Sequence, residues 1–166
     1  IQAAQKDHDS VGGVIELVIT NAPIGLGEPV FDRVEANLAK AMLSIMASKG
    51  FEIGEGFNAG SMRGSAHNDA IVHDKDGFHT KTNHAGGTLG GITNGEPIIC
   101  RIAFKPTATI SQPLETVTRS GEATSLVAQG RHDPCVATRA PVIVEAMAAL
   151  TLADLFLENR AKHGIF

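Results

Sequence analysis

Tryptophan and tyrosine are absent from this 166-residue chain, and cysteine occurs only twice, at Cys100 and Cys135. Without flat amphipathic rings there is no platform on which nucleic-acid bases stack. Two thiols cannot form the dense framework of a small secreted domain, so a reduced, cytoplasmic setting is expected, with one bridge at most. An excess of positive charge is also lacking. The formal net charge of −4 disfavours non-specific binding to a phosphate backbone. The chain opens Ile1-Gln2-Ala3-Ala4-Gln5-Lys6, with neither an initial Met nor a basic-then-apolar targeting segment, which suggests a cut polypeptide. Long uncharged apolar runs are missing too. The most apolar stretch, Val142 to Phe156, holds Glu145 and Asp154, which argues against a membrane span.

Glycine, by contrast, is abundant, at 18 residues, and predicts many tight turns. After the turn Asp9-Ser10-Val11-Gly12-Gly13, the β-branched run Val14 to Thr20 predicts a mostly buried strand. Pro29 suits the first turn of a helix, and Phe31, Val34, Leu38, Met42 and Ile45 recur at three- and four-residue spacing as one apolar stripe. Lys49 and Gly50 suggest its end, before a short strand over 51–53. From Ala70 the pattern is strand, turn, strand, with Asp76-Gly77 at the tip. Residues 97–104 form another strand. Ile99, Arg101, Ala103 and Lys105 share one face of it, and Ile98, Cys100, Ile102 and Phe104 the other. Short strands near 115–118 and 125–128 flank Ser120-Gly121. Pro141 opens a long helix to about Lys162, with alanine and leucine on enough faces to suggest burial of much of its circumference. This mixed order predicts a single α+β domain over 1–166.

Several motifs carry possible chemistry. Gly54-x-Gly56-x-x-x-Gly60 reads as a turn, one residue off a dinucleotide fingerprint. His67, Asp69, His73, Asp74, Asp76, His79 and His84 fall within eighteen residues. That cluster reads either as the solvated face of a hairpin or as the divalent-metal site of a hydrolase. Lys105-Pro106-Thr107-Ala108-Thr109 places a cation, two hydroxyls and unencumbered N–H groups at a strand end, suiting a phosphate or carboxylate. Gly130-Arg131-His132-Asp133-Pro134-Cys135 sets a guanidinium, an imidazole and a carboxylate side by side. It is either a charged surface loop or a catalytic one.

Taken together these segments resemble chorismate synthase. The resemblance is carried by Gly25-Leu26-Gly27-Glu28-Pro29, Lys49-Gly50-Phe51-Glu52-Ile53-Gly54, Asn83-His84-Ala85-Gly86-Gly87, Leu89-Gly90-Gly91, Phe104-Lys105-Pro106-Thr107, Gly130 to Cys135, and Glu145-Ala146-Met147, in the family's order. It implies an α+β fold in which antiparallel sheets sandwich helices, and a homotetramer when full length. It implies loss of phosphate from C3 and a proton from C6 of 5-enolpyruvylshikimate 3-phosphate, with reduced flavin mononucleotide (FMN) required. NADP is associated with the family as well. The family's FMN contacts correspond to Met46, Ala47, Gly90, Lys105, Pro106, Thr107, Ala108, Thr109 and Arg131. Asp133 corresponds to the proton-transferring aspartate near flavin N5, with His132 beside it as a support of the loop. No metal is implied, nor any nucleic-acid or membrane partner. Met46 stands where Asn or Pro is common in the family, so its backbone is the expected contact. The family's N-terminal half is absent from this sequence, and the chain alone is expected to be an inactive or weakly active fragment, or a flavin-binding or assembly module without catalysis.

Overall fold

The computed structural model describes residues 1–75 and 77–164. Its centre is an antiparallel sheet in which β7 (Ile98–Phe104) lies between β1 (Gly13–Ile19) and β2 (Ser48–Ile53). The register pairs Leu17 and Ile53 with Cys100, and Ile15 and Phe51 with Ile102. These residues therefore project to one face by the two-residue alternation. On β7 the alternation is sharp: Ile98, Cys100, Ile102 and Phe104 are buried, while Ile99, Arg101 and Ala103 are half-buried on the other face.

Two helices cover the apolar face. α2 (Val34–Leu43) buries Val34, Leu38 and Met42 completely, and Ile45 packs against the same core. The stripe expected from spacing is thus present, but its first member is not part of it: Phe31 is 85% exposed. The helix also begins later than Pro29. The Val34 N–H donates to the carbonyl of Gly91 at 2.9 Å, and Val30 has a φ of +67°. A distant loop therefore supplies the acceptor for the helix's first turn, and Pro29 sits in the approach. At the other end the helix stops at Leu43, and Lys49 and Gly50 lie within β2 instead.

α4 (Ala140–His163) crosses α2 and β1, with Pro141 in its first turn. It buries Ala140, Val144, Ala148 and Leu155, a narrow stripe at helical spacing. Burial over much of its circumference is not found: Val142, Ile143, Leu150 and Leu157 are exposed. The sheet and α2 meet only one side of the helix, and among the described residues no second sheet of three or more strands lies against the other. By length and composition α4 is apolar enough to cross a membrane despite Glu145 and Asp154. Its buried stripe is nonetheless part of this chain's own core, shared with Leu38 and Ile102.

The remaining strands form three hairpins: β3 (Ile71–Asp74) with β4 (Gly77–Thr80), β5 (Thr88–Leu89) with β6 (Ile92–Thr93), and β8 (Leu114–Val117) with β9 (Ala123–Leu126). Asp76 of the expected first tip lies outside the described residues. Short helices α1 (Gln2–Lys6) and α3 (Gly64–His67) complete the elements. The fold is α+β with antiparallel pairing throughout, as expected.

Candidate active site

The end of β7 sets the first wall. Lys105 donates its N–H to the carbonyl of Ala47 at 2.9 Å, which ties the start of the Lys105–Thr109 run to the turn after α2. Ala47 itself has a φ of +69° there. Gly12 lies so close to the Phe104 carbonyl and the Pro106 ring that a Cβ would not fit, so β1 enters the sheet directly under this run. Just before it, Ser10 Oγ donates to the Thr107 carbonyl at 2.7 Å. Val11 donates its N–H to the Pro134 carbonyl at 2.8 Å. The segment 10–12 thus links Pro106-Thr107 to the loop that carries Arg131 and Asp133.

Two hollows open beside this link, and both are lined by Asp133. The first, of about 460 Å³, is walled by Met46, Ala47, Phe104, Ile143 and Met147, with Asp133 and Arg139 as its charged members. The second, of about 390 Å³, is polar and includes His8, Ser10, Ser111, Arg131 and His132. A volume in this range, apolar walls and a few convergent polar groups are what small-molecule sites require. A third hollow, of about 450 Å³ between Ala39, Phe51 and Phe57, holds none of the expected site residues.

Met46, Ala47, Arg131, His132 and Asp133 line the two hollows, whereas Lys105, Pro106 and Thr107 line neither and are tied to them through Ala47 and Ser10. Ala108 and Thr109 continue the same run at the surface. Gly90 is not brought to the hollows within this chain. It sits in the β5–β6 turn, next to the Gly91 carbonyl that begins α2, whereas Ala47 follows the far end of that helix. Ten helical residues separate the two by roughly 15 Å. His132 Nε2 lies 3.3 Å from the Ala128 carbonyl and so braces its own loop. Arg131 is exposed and has no polar partner among the described residues, leaving its guanidinium available for an anion.

Thr107 bears on cofactor fit. Its hydroxyl is buried and makes no hydrogen bond among the described residues. A buried hydroxyl without a partner is costly, so a ligand atom there would satisfy it. The apolar walls of the first hollow suit a flat ring, and the Arg131 guanidinium in the second suits a phosphate, the two chemical parts of FMN.

The histidine-rich region is arranged for structure. Asp69 is almost fully covered, its side chain 2% exposed. It accepts from the N–H groups of His84 and Ala85 at 2.8 and 2.9 Å and from Thr82 Oγ1 at 2.8 Å, while His84 Nδ1 lies 2.9 Å away. Burial pushes its pKa up, but these hydrogen bonds outweigh it and hold the carboxyl at about 2. His79 faces Asp74 at 3.6 Å. Among the described residues, which do not include Asp76, no three His, Cys, Asp or Glu side chains are placed to hold a metal ion.

The sequence reading missed Ser10, His8 and Arg139 as site residues. Ser10 is visible in the sequence only as part of a turn, and no local pattern marks Arg139. Both cysteines are free and buried. Cys100 faces the core, where burial pushes its thiol up to about 11.

This is an α+β protein with an apolar hollow between the end of β7 and its longest helix. A family model for chorismate synthase matches residues 1–157. A chorismate synthase from Synechococcus elongatus is 58% identical over 163 residues, covering 98% of this chain and 45% of the relative. One from Methylacidiphilum infernorum is 56% identical over 161 residues, 97% of this chain and 44% of the relative. A solved crystal structure of chorismate synthase superposes with a TM-score of 0.76 at 36% identity, over 95% of this chain and 40% of its own. The chain belongs to the chorismate synthase family. It spans less than half the length of the relatives it matches.

Proposed function

We propose that this chain is the flavin-holding portion of a chorismate synthase, acting in the 1,4-anti elimination that turns 5-enolpyruvylshikimate 3-phosphate into chorismate. In that reaction the C3–O bond breaks with loss of phosphate, the C6–H bond breaks with loss of a proton, and a second ring double bond forms. There is no net change in oxidation state. Reduced FMN, when bound, supplies a transient source of electron density for the departing phosphate. The homotetramer, the association with NADP and the cytoplasmic setting belong to the same proposal.

The observation that carries it is the double placement of Asp133. It lines an apolar hollow with Met46 and Ala47 and a polar one with Arg131. A carboxylate at that junction can accept or return a proton at its Oδ atoms between a flat ring and an anionic group. Met46 and Ala47 would meet the ring through backbone and small side-chain surface, and Phe104 and Met147 would keep water from it. The Thr107 hydroxyl would find its missing partner on the cofactor. Lys105 and Arg131 would attract its phosphate. His132 would keep the loop in place through Ala128.

The substrate carries two carboxylates and a phosphate and needs a strongly cationic site, whereas this chain is net acidic. The chain alone is therefore proposed to bind flavin without appreciable turnover. The test has two arms: FMN titration of the chain alone, and turnover by a chimera in which this chain replaces the matching stretch of the Synechococcus elongatus relative. Flavin binding by the chain with turnover by the chimera supports the proposal. No flavin binding by either protein ends it.

A further inference from the structure

Arg139 sits where helix physics does not want it. It is the residue from which α4 starts, and the first turn of that 24-residue helix holds no acidic side chain. The partial positive charge of a helix N-terminus disfavours a cation there. What Arg139 does have is Asp133: its Nη2 lies 3.1 Å from Asp133 Oδ1. Both residues line the apolar hollow with Ala47 and Met147. No other ion pair or hydrogen bond holds the Asp133 side chain among the described residues. The pair is partly open to solvent, with Arg139 65% exposed and Asp133 35%, so its contribution to stability is small. Its geometric consequence is larger, because one Asp133 oxygen faces a cation while the other has no charged or hydrogen-bonding partner among the described residues.

We propose that Arg139 is the positioning residue for Asp133: it pins one carboxylate oxygen so that the other stands at the junction of the two hollows. This rests on the proposed function, in which Asp133 handles the proton. A group that transfers a proton must be held within hydrogen-bond reach of its target, and small displacements are costly. The guanidinium fork suits this task because it is planar and always charged.

The test uses the same chimera. Arg139→Ala is expected to lower kcat roughly 10- to 100-fold. FMN affinity and KM should stay within about threefold, since Arg139 acts through Asp133 and not on ligand anions. Arg139→Lys should restore part of kcat. The deciding measurement is the double variant: Asp133→Asn with Arg139→Ala should be no slower than Asp133→Asn alone. Additive losses, an unchanged kcat in Arg139→Ala, or weakened FMN binding like that of Arg131→Ala would each overturn the inference. A second measurement needs no turnover. In the chain alone, nitrogen-15 NMR of the Arg139 guanidinium should show hindered rotation that Asp133→Asn abolishes, and free rotation in the unaltered chain would overturn the pairing. A resolved Arg139 signal with an inactive unaltered chimera would instead remove the proposed function, and the catalytic half of this inference with it.

Discussion

Ser10 and Thr107 are 97 positions apart, yet the Ser10 hydroxyl donates to the Thr107 carbonyl at 2.7 Å. The bond joins the entry to the first strand to the exit from the central one, and on its two sides lie the polar hollow and the Lys105–Thr109 run. Ser10→Ala removes the donor and leaves the carbonyl part-buried. The expected cost is about 1 kcal/mol of stability, read as a lower urea midpoint. FMN affinity should fall several-fold, because the run loses its anchor while every side chain in it remains. Unchanged affinity together with lowered stability would make Ser10 a purely structural tie.

Arg131 and Asp133 are two residues apart but have different surroundings, so their variants should fail differently. Arg131 lines only the polar hollow and has no partner among the described residues. Arg131→Ala should raise the FMN dissociation constant about 10-fold or more, the loss of one charge-assisted contact to an anion. Asp133→Asn keeps shape and volume. In the chimera it should bind FMN nearly normally and lose at least about 100-fold in kcat, the usual scale for a misplaced or missing proton carrier. Fluorescence titration and a chorismate assay separate the two. Near-normal turnover by Asp133→Asn would move proton transfer elsewhere.

Spacing places Leu38 and Phe31 on one stripe, and the structure divides them. Leu38 is completely buried between the sheet and α4, whereas Phe31 is 85% exposed. Leu38→Ala should cost about 2–5 kcal/mol, and Phe31→Ala close to nothing, by denaturant unfolding of the chain. Equal losses at the two positions would mean that Phe31 is covered in solution by something outside the described residues.

That division shows what the sequence could convey. Local pattern is enough for the middle of α2, for the two faces of β7 and for the turn at Ser120-Gly121, because there the period or the turn residue decides the conformation. It fails where a distant group intervenes. The start of α2 is set by the Gly91 carbonyl, which no pattern around Pro29 reveals. α4 has apolar residues on several faces, and which of them are buried depends on what lies against each one. The site was legible only in pieces. Lys105, Arg131 and Asp133 were noticeable as charges at strand ends and loops, while the Arg139–Asp133 pair depends on how a loop folds back over the start of a helix. Gly90 marks the reverse limit, since likeness to the family groups it with residues from which this chain separates it by the length of α2.

Asp69 gives the pH prediction, and its sign follows from its hydrogen bonds. The four contacts from Thr82, His84 and Ala85 favour the carboxylate, and the folded chain holds the group at about 2 against an ordinary 3.8. A group whose folded pKa is depressed adds stability that is complete above the ordinary value and disappears as pH falls through the folded one. The window is therefore about pH 4 down to pH 2. Because the side chain is almost fully covered, the contribution at pH 7 is on the order of 2 kcal/mol. Asp69→Asn keeps a carbonyl acceptor but loses the charge, so it should be less stable than the unaltered chain at pH 7. The gap should narrow steadily below pH 4, as the unaltered chain loses what the variant never had. Urea unfolding of both proteins at pH 7, 4 and 2.5 measures this directly. A gap that stays constant across that window would mean that Asp69 acts through shape alone, with its charge contributing nothing to the loop at Thr82–Ala85.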